Sequence, residues 1–176
     1  MKQGYIGDPS AIKPDELPPN HKAMHSTKRF GHDRGISCAF RQWSADSHCH
    51  FIHGYALSFT FTFAAQVLDE RNWVVDFGSC AFLEHRLREL FDHKLLVAQD
   101  DPQLDLLAQL GGMDAAHVVI VPAVGCEAFA KYAYDIGTEF LQKIVNDEQP
   151  ANTAPRVWLA SVEVAEHGAN SAICFG

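Results

Sequence analysis

The sequence predicts an α+β domain: a four-stranded antiparallel sheet with two long helices on one face. Three observations carry this. Large side chains alternate strictly over Tyr55, Leu57, Phe59, Phe61 and Phe63, with Ala56, Ser58, Thr60 and Thr62 between them, which is the period of a strand with one buried face. Two later segments carry apolar residues at helical spacing, Leu83–Leu87–Leu90–Phe91 and Phe129–Ala133–Ile136–Phe140–Ile144. Strand-like runs then close the chain after the second helix, so strands and helices are grouped rather than strictly alternating.

In chain order, residues 1–28 hold Pro9, Pro14, Pro18 and Pro19 with little apolar periodicity, and read as a poorly ordered arm, leaving a single domain over 29–176. Ile36–Trp43 reads as the first strand and Tyr55–Phe63 as the second. Asp69–Asn72 is a polar turn, and Trp73–Phe77 leads into a helix over Ser79–Phe91. A shorter helix over Gln103–Leu110 is expected to stop at Gly111-Gly112. His117–Val121 is β-branched, Glu127–Val145 is the second long helix, and 146–155 is a polar loop. Val157–Ala165 and Ser171–Phe175 are the last strands. The face of such a sheet away from its helices would expose apolar groups, which argues for a homo-oligomer.

Composition bounds the function. The 176 residues are 47% hydrophobic with a formal charge of −8, enough for one sizeable core and without a basic run, so nucleic acid is not an expected partner. No stretch has the length and apolarity of a membrane span, and no secretory leader pattern opens the chain. Cys38, Cys49, Cys80, Cys126 and Cys174 are odd in number and scattered, which suits a reduced, cytoplasmic protein without disulfides.

Four places could carry chemistry. His48, Cys49, His50 and His53 lie within six residues, and imidazole and thiolate are the usual zinc ligands; a histidine-rich surface loop would look the same. Asp92-His93 closes the first long helix, where a carboxylate can orient an imidazole, although a histidine at a helix C-terminus is also favoured by the dipole. Glu166 ends a strand, where a carboxylate can accept two N–H bonds from a planar guanidine-like edge. Glu127 opens the second long helix, a position that the macrodipole favours and where free N–H groups can meet a ligand.

The order of these blocks resembles the 6-pyruvoyl-tetrahydropterin synthase and 6-carboxy-tetrahydropterin synthase family. Cys49 followed by His53-Gly54 resembles its cysteine and His-Gly-His. Trp73-Val74-Val75-Asp76-Phe77 resembles its Gly-x-Val-x-Asp-Phe, and Phe91-Asp92-His93-Lys94-Leu95-Leu96 its Leu-Asp-His-x-x-Leu. Cys126-Glu127 resembles the end of Pro-Thr-x-Glu, and Val162–Glu166 the final strand ending in Glu. The resemblance covers about residues 33–176. It implies the tunnelling fold (T-fold) and a lyase acting on 7,8-dihydroneopterin triphosphate or a similar pterin. It further implies Cys49 as the proton-abstracting residue, Asp92-His93 as its assistants, Glu166 as the pterin anchor, and sites between subunits of a hexamer made of two trimers.

The resemblance fails at the metal. The family holds zinc with three histidines, one in Ala-x-His-Arg and two in His-Gly-His. Here those positions read Phe40, His53 and Tyr55. Either the zinc has moved to His53, His48 and His50, or the metal is gone and the chain is a non-catalytic or repurposed binder of pterins or purines. Gly125 also replaces the threonine of Pro-Thr-x-Glu.

Overall fold

A computed structural model describes residues 22–148 and 155–176. Eight strands and three α-helices follow in the order β1 (Met24–Phe30), β2 (Ser37–Phe40), β3 (His53–Ala56), β4 (Ser58–Ala65), α1 (Ala81–Phe91), β5 (Lys94–Ala98), α2 (Leu104–Gly112), β6 (Val118–Val121), α3 (Cys126–Glu148), β7 (Val157–His167) and β8 (Asn170–Phe175). The strands form two sheets. The first is antiparallel in the order β1-β4-β7-β8, and the second runs β3-β2-β5-β6.

The four-stranded antiparallel sheet is therefore present, with different membership from that expected. Ile36–Trp43 shortens to β2 and moves to the second sheet. Its place in the first is taken by β1, so that positions 24–28 of the predicted arm are strand, while residues 1–21 lie outside the described part. β1 is an edge strand with only Phe30 buried, so it lacks an apolar face to betray it. β5 was also unexpected. Leu95, Leu96, Val97 and Ala98 are all buried, and a strand covered on both faces has no alternation to read. It pairs in parallel with β2 and β6, so the second sheet is mixed.

The aromatic run is divided. β3 ends at Ala56 and β4 starts at Ser58. Between them Leu57 donates its N–H to the Ile36 carbonyl (2.7 Å) as the chain passes from one sheet to the other. Beyond this crossing, Phe59, Phe61 and Phe63 are wholly buried. α1 covers them with Leu83, Leu87 and Phe91, and α3 with Phe129, Ala133, Ile136 and Phe140, all in one apolar cluster. Burying each such phenylalanine contributes about 1.5–3 kcal/mol, so this seam is the principal stabilising layer. A smaller cluster of Leu95, Val97 and Leu107 lies under α2. The glycine pair expected to stop α2 is inside its last turn, which closes at Met113. No helix among the described residues is long and apolar enough to cross a membrane.

Candidate functional site

The ribbon of β2 and β3 builds one wall of the site. Its register sets Phe40 opposite His53 and Cys38 opposite Tyr55. Alternation then directs all four side chains to the same face. Gly54 lies opposite Ala39, and a Cβ there would stand 2.6 Å from the Cys38 carbonyl oxygen, so the ribbon closes only with glycine at that point. The three positions that would be zinc histidines thus converge as rings: Phe40–His53 at 4.9 Å, His53–Tyr55 at 5.6 Å and Phe40–Tyr55 at 6.3 Å between centroids. Phe40 also meets Phe129 of α3 edge-on at 5.0 Å, which fixes it in the core.

This donor set does not fit zinc, since it offers one imidazole beside a benzyl and a phenol. The alternative ligand set is not assembled either. His48 and His50 lie in a 3-10 turn over His48–His50, capped by Ser47. The Nδ1 atoms of His50 and His53 sit 2.6 and 2.8 Å from the backbone carbonyls of Ser47 and Phe51. Among the described residues no three His, Cys, Asp or Glu side chains gather to hold a metal ion. Closeness in sequence does not become convergence: the rings of His50 and His53 each turn Nδ1 to a carbonyl of their own loop.

Cys49 is the middle residue of that turn and half-buried; its N–H points to Ser47 Oγ. The loop is tied down at both ends. Gln42 donates its N–H to the Cys49 carbonyl (2.9 Å) and its Nε2 to the Val124 carbonyl (2.9 Å), just before α3. Gly125 has φ +104°, a conformation that a threonine at this position would adopt only with strain.

Glu166 sits at the irregular end of β7, where the pairing with β8 shifts between Ala165 and His167. Such a bulge re-aims a side chain. Around Glu166 are gathered groups that sequence reading passed over. Burial, and then the Glu166 carboxylate, push the Cys126 thiol to about 12. Burial, Cys126 and Glu166 do the same to Cys38. The Tyr55 phenol is also raised, by burial first and then by the charges of Glu166, Cys49 and Cys126. Cys38, Cys49, Tyr55, Cys126 and Glu166 thus share one neighbourhood. The signal for Cys38 and Tyr55 was their register across the ribbon. Glu127 is exposed, one residue into α3.

Asp92 and His93 form a second, separate group. Asp92 Oδ1 accepts from the Ser37 N–H (3.4 Å) and lies 2.9 Å from His93 Nδ1, while Oδ2 accepts from Arg88 Nη1 at 2.8 Å. Arg88 in turn contacts Glu84, which also accepts both oxygens' bonds from Arg34 at 2.7 Å. Burial alone would raise the Asp92 carboxyl, but Arg88, the Ser37 amide and His93 hold it below the usual range. His93 is largely exposed, with φ +57°, its N–H donated to the Ser37 carbonyl at 2.7 Å. Among the described residues, no hydrogen bond of Asp92 or His93 reaches Cys49.

A nearby cation is already committed. Arg41 donates Nε and Nη2 to Asp101 at 2.8 and 2.6 Å, and the Asp101 side chain is only 1% exposed.

Comparison with known proteins speaks to the family and the fold. The family model for 6-pyruvoyl tetrahydropterin synthase matches residues 31–176. A 6-carboxy-5,6,7,8-tetrahydropterin synthase of Rickettsia conorii is 32% identical over 79 residues, 44% of this chain and 54% of that protein, so the chain spans about half the length of this curated relative. Among solved structures, the protein WS1659 from Wolinella succinogenes superposes with a TM-score of 0.70 at 17% identity, covering 88% of this chain and 98% of that one. The 6-pyruvoyl tetrahydropterin synthase of Plasmodium falciparum gives 0.59 at 10% identity, over 86% and 96%. At these identities the superpositions speak for a shared T-fold.

Proposed function

Since this chain belongs to the 6-pyruvoyl tetrahydropterin synthase family, we propose that it is a lyase acting on a pterin, 7,8-dihydroneopterin triphosphate or a close analogue. The observation that carries this reading is that Glu166, Cys49 and Cys126 all lie close enough to the Tyr55 phenol to raise it. In this proposal Glu166 accepts the paired N–H groups of the pterin edge, with Glu127 at the rim. Cys49 removes a proton from the substrate side chain. Asp92 holds His93 by Nδ1, leaving Nε2 to exchange protons with substrate. Cys49 and His93 are not joined within one chain, and that favours a site completed between subunits of a homo-oligomer, a hexamer of two trimers, in the cytoplasm. No step is assigned to zinc, because Phe40 and Tyr55 do not fit it. Tyr55, whose phenol stays protonated at neutral pH, can donate a hydrogen bond to a substrate oxygen that gains charge.

The test is incubation with 7,8-dihydroneopterin triphosphate, following triphosphate release and pterin products by chromatography. Turnover should be lost in Cys49→Ala while pterin binding persists, and binding should weaken at least tenfold in Glu166→Gln. Absence of both triphosphate release and a new pterin from the wild-type protein refutes the lyase reading. The ring contacts of Phe40 with His53 and Tyr55 favour a second reading, a pterin or purine binder without turnover. It requires tight binding of a neutral pterin that weakens in Glu166→Ala.

A further inference from the structure

The turn that carries Cys49 takes its shape from bonds within its own loop. The Cys49 N–H points to Ser47 Oγ, His50 donates its N–H to the Ser47 carbonyl (3.1 Å), and Phe51 donates its own to the His48 carbonyl (3.1 Å). Bonds of this kind set the form of a loop but not its place on the rest of the protein. Among the described residues, two side chains within 42–52 hydrogen-bond to another part of the fold. The exposed Trp43 reaches Asp100 Oδ1 at 3.2 Å, and the half-buried Gln42 reaches the Val124 carbonyl at 2.9 Å.

Three hydrogen bonds meet at Gln42. Its N–H goes to the Cys49 carbonyl (2.9 Å), its carbonyl accepts the Ala45 N–H (3.0 Å), and its Nε2 donates to Val124. The receiving end is firm. Val124, Gly125 and Cys126 are buried, and the Tyr132 hydroxyl lies 2.9 Å from both the nitrogen and the oxygen of Ala123. The Gly125 carbonyl accepts the Phe129 N–H (3.0 Å) as α3 begins. One residue thus joins the backbone of the thiol-bearing turn to the start of α3, where Cys126 lies beside Glu166. Gly125 leaves room for this bridge, because a Cβ there would stand 2.7 Å from Gln42 Nε2 and turn the amide away.

We propose that Gln42 is a positioning residue: it holds the Cys49 turn against the start of α3 and so sets where the thiol stands relative to Glu166. The consequence for chemistry rests on the pterin-lyase reading, in which Cys49 takes the substrate proton; the placement of the thiol does not. A glutamine suits the role, since its amide supplies the donor that a carboxylate of the same length lacks. Misplacing a reacting group by about 1 Å can cost on the order of 10²-fold in rate.

The test uses the full chain and the variants Gln42→Leu and Gln42→Glu, which are close to glutamine in size and lack the donor at pH 8. The first readout is the rate at which iodoacetamide alkylates Cys49 at pH 8, followed by mass spectrometry of the peptides, with the half-buried Cys174 of β8 as internal reference. Cys49 should react at least fivefold faster in both variants while Cys174 keeps its rate. The second readout is turnover of 7,8-dihydroneopterin triphosphate: kcat should fall at least tenfold with neopterin binding unchanged. Each variant should melt within a few degrees of the wild type. Unchanged Cys49 labelling in both variants overturns the proposal, and so does a rise shared equally by Cys49 and Cys174, which is a general loosening of the fold. If the wild type turns over no pterin while Cys49 labelling alone still rises in both variants, Gln42 keeps its positioning role and the lyase reading falls.

Discussion

Replacing Arg41 by Met should be among the most damaging single changes outside the aromatic core. Arg41 lies directly after Phe40, and its two hydrogen bonds of 2.8 and 2.6 Å engage both oxygens of Asp101, whose side chain is 1% exposed. Asp101 also caps the approach to α2 by accepting the Gln103 N–H at 2.8 Å. Removing the guanidinium leaves a buried carboxylate without its partner, which costs about 3–5 kcal/mol. For a domain of this size each kcal/mol moves the melting midpoint by roughly 2–4 °C, so the loss is on the order of 6–20 °C. The Arg41 hydrogen bonds are the first cause of the lowered Asp101 carboxyl. A carboxyl lowered by folding contributes stability that is present above its unfolded pKa and disappears as the pH falls through its folded one. The difference between wild type and Arg41→Met should therefore be full at pH 7 and close below about pH 4. The assay is thermal and urea unfolding across pH, with Asp101→Leu and the double variant completing the cycle. The double variant should recover much of the loss, since a buried pair replaced by apolar groups is often neutral. A loss under about 1 kcal/mol at pH 7, or one that does not shrink as the pH falls well below about 4, would refute the reasoning.

Two further outcomes follow from the ribbon and its thiols. Phe40→His with Tyr55→His should create a three-imidazole set with His53 and let the chain bind about one zinc, measured by elemental analysis, where the wild type binds none in stoichiometric amount. Stoichiometric zinc in the wild type, lost in His53→Ala, would show that the ring cluster has been misjudged. In a thiol titration with an aromatic disulfide at pH 8, the half-buried Cys49 and Cys174 should react first. Cys38, Cys80 and Cys126 should wait for denaturant, because they are buried and their thiols are pushed to about 12, 11 and 12. Fast labelling of Cys126 in the native protein would contradict its burial against Glu166.

The parts of the fold that were legible share a physical trait: they bury one face and expose the other. The phenylalanine run of β4 and the stripes of α1 and α3 announce themselves by period. β1 and β5 fail that condition in opposite ways, the first because too little of it is buried and the second because nearly all of it is. The site follows a similar divide. Asp92-His93 could be read directly, since the pairing is local and Arg88 one helical turn back reinforces it. The company that Glu166 keeps could not, because Cys38, Tyr55 and Cys126 reach it only through strand register and the start of a helix far along the chain. The histidines of the Cys49 loop show the reverse error, where neighbours in sequence are separated by a capped turn.

The crossing at Leu57 has a consequence for how such a protein changes over evolutionary time. One continuous stretch of chain serves two layers, with Phe59, Phe61 and Phe63 buried in the core sheet and Tyr55 and His53 on the short ribbon beside it. A lineage can therefore rewrite the short ribbon, exchanging an imidazole for a phenol, without loosening the rings beyond Leu57. The core and the ribbon are thus separable in what a substitution in each would disturb.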